Sequence, residues 1–132
     1  MSLFQATHFE SINRGLILYN DELYWECHEE LENHWLEESG DDVRYIYWTI
    51  IQVAAALLHY ENNNLGSALS LINKAKEKVT KCESTQVEGP YLEEVLEWNK
   101  FKKLIKDISE NDLVVGFKNL KSFKFNSVAK HE

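Results

Sequence analysis

The stretch RYIYWTIIQVAAALLHY, Arg44 to Tyr60, decides the fold. It is apolar nearly all round, and a helix without a wet face is a buried one. Its apolar core, Ile46 to Leu58, is interrupted by Thr49 and Gln52. It is also shorter than the roughly 20 residues that span a bilayer. The stretch is therefore expected to be the central helix of an all-α domain, with amphipathic helices around it.

Working outward, helical periodicity dominates on both sides and no convincing strand is seen. On the N-terminal side the spacing predicts a first helix over about 4–18 and a second over about 22–38, capped by Asn20 or Asp21. The run ESGDD ends the second, with Gly40 as its stop. Asp41 or Asp42 caps the central helix. On the C-terminal side, ENNN precedes a fourth helix over about 65–82, and ESTQVEGP, with the only proline, is the longest loop. A fifth helix is expected from about Tyr91, with apolar residues at Tyr91, Val95, Trp98, Phe101, Ile105 and Ile108. A sixth follows Asp112, with Leu113, Phe117 and Leu120 on one side, and NSVAKHE frays. NDEL, NNNL and ENDL, starting at residues 20, 62 and 110, each stand between two helices. Short Asn/Asp turns imply antiparallel hairpins. The expected architecture is a single domain over 1–132, an antiparallel helical-hairpin bundle of about five to six helices, loosely tetratricopeptide-like.

The chain has 132 residues, with 12% aromatic and 44% apolar, which suits one folded core rather than disorder. The N-terminus lacks the basic start and apolar run of a signal peptide. Cys27 and Cys82 form no CxxC pair or disulfide framework. A cytoplasmic protein is expected. The net charge of −8 is uneven: residues 1–42 carry one Arg and eleven acids (−10), and residues 43–132 thirteen Lys or Arg and eleven acids (+2). An acidic half repels phosphate backbones, so neither nucleic acid nor membrane is an expected partner. The charge asymmetry, with aromatics such as Phe123 and Phe125 taken as exposed, suggests a homodimer or another protein partner.

Sorted at about 100° per residue, the second helix has Tyr24, Cys27, Leu31 and Trp35 as its core stripe. Glu26, Glu30, Asn33 and Glu37 face water. His28 lies at the stripe's edge and Glu32 just beyond it, flanked by Trp25 and Leu36. On the central helix Gln52 and His59 share one face, two turns apart, with alanines between them. Buried polar groups need partners, so a cluster of His28, Glu32, Gln52 and His59 is expected between the two helices. Such a cluster either fixes helix register or lines a small pocket.

Chemistry is sparse. His28, Glu32 and His59 are the candidate ligands for a divalent metal, two histidines and a carboxylate; otherwise no cofactor is expected. The Glu-x-x-His pair of di-iron bundles is absent. Cys27 and His28, adjacent on a helix, point about 100° apart and form no dyad. Cys82 is the candidate surface thiol. If catalysis occurs, His28 and Glu32 are the general acid–base candidates of a small hydrolase, with dry surroundings tuning both. The leading expectation is a non-enzymatic binding or scaffold module.

Residues from about Gly15 to Lys78 resemble the prokaryotic family known as domain of unknown function 309. The resemblance rests on Asn20, Tyr24, Trp25, His28, Glu29, Glu32 and Trp35, a His-Glu-x-x-Glu-x-x-Trp pattern after an aromatic pair. It continues in Ile51, Gln52, Ala54 and His59, then in the turn of Asn63, Asn64, Leu65, Gly66, Ser67 and Ala68. Asn63 and Ser67 stand where the family has glycines. The helices over about 91–125 match only in character. The resemblance implies a small antiparallel bundle and no established activity. It adds Trp25, Glu29 and Trp35 to the binding residues, in one constellation with His28, Glu32, Gln52 and His59.

Overall fold

The computed structural model describes residues 3–37 and 41–125, with backbone alone for 35–37. Among these residues there are seven α-helices, one short 3-10 turn at Glu110–Asp112 and no strand. The helices are α1 (Ala6–Asn20), α2 (Tyr24–Glu37), α3 (Arg44–Glu61), α4 (Leu65–Ser84), α5 (Gly89–Leu96), α6 (Trp98–Asp107) and α7 (Leu113–Ser122). The fold is all-α, with one helix more than the expected five to six. The Trp35 side chain, Gly40 and the NSVAKHE tail fall outside what is described.

α1, α2, α3 and α4 pack in chain order, each against the next. α3 is central: Ile46, Tyr47, Ile50, Val53, Ala54 and Leu57 are all fully buried. Its buried Thr49 hydroxyl donates to the Tyr45 carbonyl at 2.8 Å and lies 3.7 Å from Cys82 Sγ, so the polar interruption is satisfied within the core. Val43, not the expected Asp41 or Asp42, is the N-cap of α3, and no side chain caps it; the Asp41 carboxylate accepts the Val43 N–H at 3.1 Å in the turn that precedes the helix. α4 buries Ala68, Ile72, Ala75, Val79 and Cys82, a 4-3-4-3 stripe against α3.

The hairpin turns close by a shared device. Glu22, Asn63 and Gln86 adopt left-handed φ of 61°, 61° and 59°. In each turn the next residue's N–H donates to a carbonyl five residues back: Leu23 to Leu18, Asn64 to His59, Val87 to Cys82. This is the Schellman closure of a helix C-terminus. The left-handed residue is third in NDEL and second in NNNL, while ENDL holds a 3-10 turn instead. The three tetrapeptides thus share composition and not conformation. Asn20, expected as the cap of α2, ends α1 instead, and its side chain serves another purpose.

The expected fifth helix is two helices. Glu97 takes a left-handed φ of 51° and separates α5 from α6. Leu96 and Trp98 are both buried. In one continuous helix they would lie about 200° apart. The break turns both inward, and the Trp98 indole N–H donates to Glu88 at 2.6 Å. α5 starts at Gly89, so ESTQVEGP is shorter as a loop than expected.

The C-terminal segment after α7 crosses back to the first hairpin. Phe123 and Phe125 are buried, which corrects their reading as exposed aromatics. Phe125 packs on Tyr19 and Phe101 at 5.1 and 5.0 Å between ring centroids. Asn20 holds it: its amide donates to the Phe125 carbonyl at 3.0 Å and its oxygen accepts the Phe125 N–H at 2.9 Å.

Candidate functional site

α2 presents the candidate site because its core stripe is satisfied by three residues. Tyr24, Cys27 and Leu31 are buried, which leaves Trp25, His28, Glu29 and Glu32 at the outer edge. Trp25 is 55% exposed. Its ring stacks on His28, centroids 5.7 Å apart and planes 13° from parallel. The ring nitrogens of His28 lie 3.9 Å from Glu29 and 4.0 Å from Glu32, contacts of ion-pair length rather than hydrogen bonds. His28 Nδ1 is buried and makes no hydrogen bond. Glu32 is 47% exposed at its side chain, so the dry setting expected around it is absent.

Not all of the expected cluster assembles. One ligand atom from each of His28, Glu29 and Glu32 fall within 4.8 Å of one another, and this group does not include His59. His59 Nδ1 instead lies 3.3 Å from the Asn64 amide, in the α3–α4 turn. Gln52 is half-buried on α3 and makes no hydrogen bond among the described residues. The Trp35 side chain lies outside the described residues. Further along α2, His34 Nε2 meets Glu30 at 3.1 Å, a pair the sequence reading had left unused.

Neither thiol is a surface group. Cys82 is fully buried, which corrects its expected place, and burial pushes it up to about 12 against a hydrogen bond with Thr49 that lowers it. Burial, then the Glu30 charge, also pushes Cys27 up to about 12. At neutral pH both are protonated and behave as small apolar groups.

A family model described as Domain of unknown function (DUF309) matches residues 12–71. Over those residues, less than half of the chain, the protein is similar to that family. The matched segment runs from α1 into α4 and contains the whole Trp25, His28, Glu29 and Glu32 group. α5, α6 and α7 lie beyond it. No curated protein and no solved structure matches the chain. Among the described residues no helix is long and apolar enough to cross a membrane.

Proposed function

We propose that this protein is a non-enzymatic binding module of the scaffold type, and that the outer edge of α2 is a surface it offers to a protein partner. Trp25 carries this reading. A large ring 55% exposed on a folded surface stacks on His28, whose ring nitrogens Glu29 and Glu32 approach at 3.9 and 4.0 Å. That combination suits a Lys or Arg side chain of the partner, with the ring adding about 0.5–1 kcal/mol at an exposed site. The two protonated thiols support a non-enzymatic role, because neither is available as a nucleophile. Self-association falls within the same reading.

Titration of the protein with short Arg- and Lys-containing peptides, followed by amide chemical shifts, tests it. Shifts should gather on α2 and shrink with salt. Trp25→Ala or Glu29→Gln with Glu32→Gln should weaken binding about tenfold. Equal affinity in these variants would refute it.

A second reading, metal-assisted or general acid–base hydrolysis, has one observation in favour: the trio of His28, Glu29 and Glu32 within 4.8 Å. One imidazole and two carboxylates suit manganese, iron or zinc with open positions. The third candidate ligand is then Glu29 in place of His59. Melting of wild type and Glu32→Ala with chelator, then with each metal, separates the readings. A midpoint raised by metal in wild type alone supports a metal centre by linkage. Unchanged midpoints leave the binding surface.

A further inference from the structure

The segment just before α1 is held down by one ring and two hydrogen bonds. Phe4 is fully buried, although Leu3, Gln5, Ala6 and Thr7 around it are all exposed. Its N–H donates to the Val87 carbonyl at 2.8 Å, in the loop before α5. Its ring stacks on Tyr91 of α5, centroids 6.1 Å apart, and lies 5.8 Å from the His8 ring. Gly89 takes a left-handed φ of 63°, and a Cβ there would stand 3.4 Å from Leu3 Cδ1, so Leu3 rests on its bare face.

The second hydrogen bond constrains the charge of its acceptor. The Gln5 N–H donates to His8 Nδ1 at 3.0 Å. A backbone N–H can only donate, so Nδ1 keeps its lone pair and the ring proton sits on Nε2. A protonated ring carries N–H at both positions, and two donors would then face each other. His8 is the third residue of α1, in the turn whose free N–H groups already make the helix end positive. It is also buried, so water is poorly placed to replace either partner. All three effects act in one direction. The closed segment binds fewer protons than the released one, so acid favours release.

The surrounding charges are engaged elsewhere. Glu10 on α1 is exposed. Arg14 of α1 and His34 of α2 both meet Glu30. Glu88, in the loop before α5, accepts from Trp98 and Lys102. Tyr91 is a phenol, and phenols are neutral wherever imidazole titrates. No ion pair to His8 forms among the described residues.

We propose that His8 makes residues 3–5 a pH-sensitive latch, closed over the start of α5 when its ring is neutral and released when the ring is protonated. Release uncovers the Val87 carbonyl and the Tyr91 face that Phe4 now occupies. The inference goes beyond the binding-module reading and uses none of the α2 surface.

Amide exchange of the full chain, read as protection factors at about pH 8 and about pH 5.5, tests it. Protection at Phe4 should fall about tenfold on acidification, the combined size expected of one neutral hydrogen bond and one charge at a helix start. The α3 amides, Val53 among them, should keep theirs. His8→Gln supplies an acceptor oxygen that does not titrate, and His8→Ala supplies none. In both variants protection at Phe4 should no longer depend on pH, staying high in the first and low in the second. Wild-type protection that is the same at both pH values overturns the inference. So does a loss shared equally by α3, which is general acid unfolding. A loss that persists in His8→Gln belongs to another group and overturns it too.

Discussion

Gly15 marks the closest approach of α1 to α2. A Cβ built there would stand 2.5 Å from Leu31 Cδ2, with Leu31 itself fully buried. Gly116 is equally tight against Ile108, 2.7 Å from its Cγ1 and 3.1 Å from its Cα. Leu31 can turn its side chain, whereas the Ile108 backbone cannot yield without moving the α6–α7 connection. Overpacking a dense interior costs about 1–3 kcal/mol. Gly116→Ala should therefore destabilise by the upper part of that range and Gly15→Ala by the lower, read as the urea midpoint. Equal midpoints for both variants and wild type would contradict the packing described. Neither glycine was legible in the sequence as a contact, because each depends on which residue of another element stands opposite. His28 and Glu32 were legible, since helical spacing alone puts them at the edge of the α2 stripe. His59 joined them in the sequence reading through the order of the helices. Its bond to Asn64 is a local turn contact that periodicity does not report.

The elements are tied by turns and by ionic staples, the most buried of which centres on Lys102. Gln86 holds a left-handed φ of 59° without being glycine, a conformation costing an ordinary residue about 1–2 kcal/mol. Gln86→Gly should raise stability by up to about 1 kcal/mol, the rest being offset by a freer unfolded chain. A lower melting temperature would count against the left-handed turn. Nearby, the buried Lys102 ammonium donates to Glu83 at 3.0 Å and Glu88 at 3.1 Å, joining α6 to the end of α4 and the following loop. Burial pulls Lys102 down, but its bonds to Glu88 and Glu83 outweigh this and hold it above 10.5. Burial pushes Glu83 up, and its bonds to Lys106 and Lys102 outweigh this and hold it below 4.5. The Glu83 contribution is thus present above pH 4.5 and lost as pH falls through its lowered value. The Lys102 contribution is present below pH 10.5 and lost as pH rises through its raised value. Lys102→Met should remove its own alkaline limb from the stability–pH curve and shrink the acid limb, where Lys106 still holds Glu83; limbs identical to wild type would show that the staple carries no linkage. The break at Glu97 escaped periodicity for a simple reason. Tyr91, Val95, Trp98, Phe101, Ile105 and Ile108 make an unbroken stripe on paper, yet Leu92 and Leu96 are the fully buried pair in α5. The stripe changes register at 97, and only a left-handed residue can do that without a longer loop.

Over the whole molecule, the buried core is continuous from Phe4 to Phe125, so the helices beyond residues 12–71 share one interior with that segment. The all-α architecture was legible because α3 has no wet side and must be covered. The fate of FKF at residues 123–125 was not, because its partners Tyr19 and Asn20 are some hundred residues away and nothing local announces them. Asn20→Ala leaves the Phe125 N–H and C=O without their partner, and should cost about 1–3 kcal/mol. Hydrogen exchange should then quicken first at residues 123–125 and later in α3. Uniform loss of protection would mean that the segment is not a separable clasp.

The Asn20–Phe125 pairing spans 105 positions of sequence. A chain made on the ribosome emerges from its N-terminus, so α1 and α2 are out and free to pair long before Phe125 is polymerised. The Tyr19 side of that first hairpin stays uncovered until the last contact is made. Synthesis order thus makes the nascent chain stickiest late, and contacts of such long range are the slow ones to form. Arrival of Phe125, rather than formation of any helix, is the event that seals this hairpin.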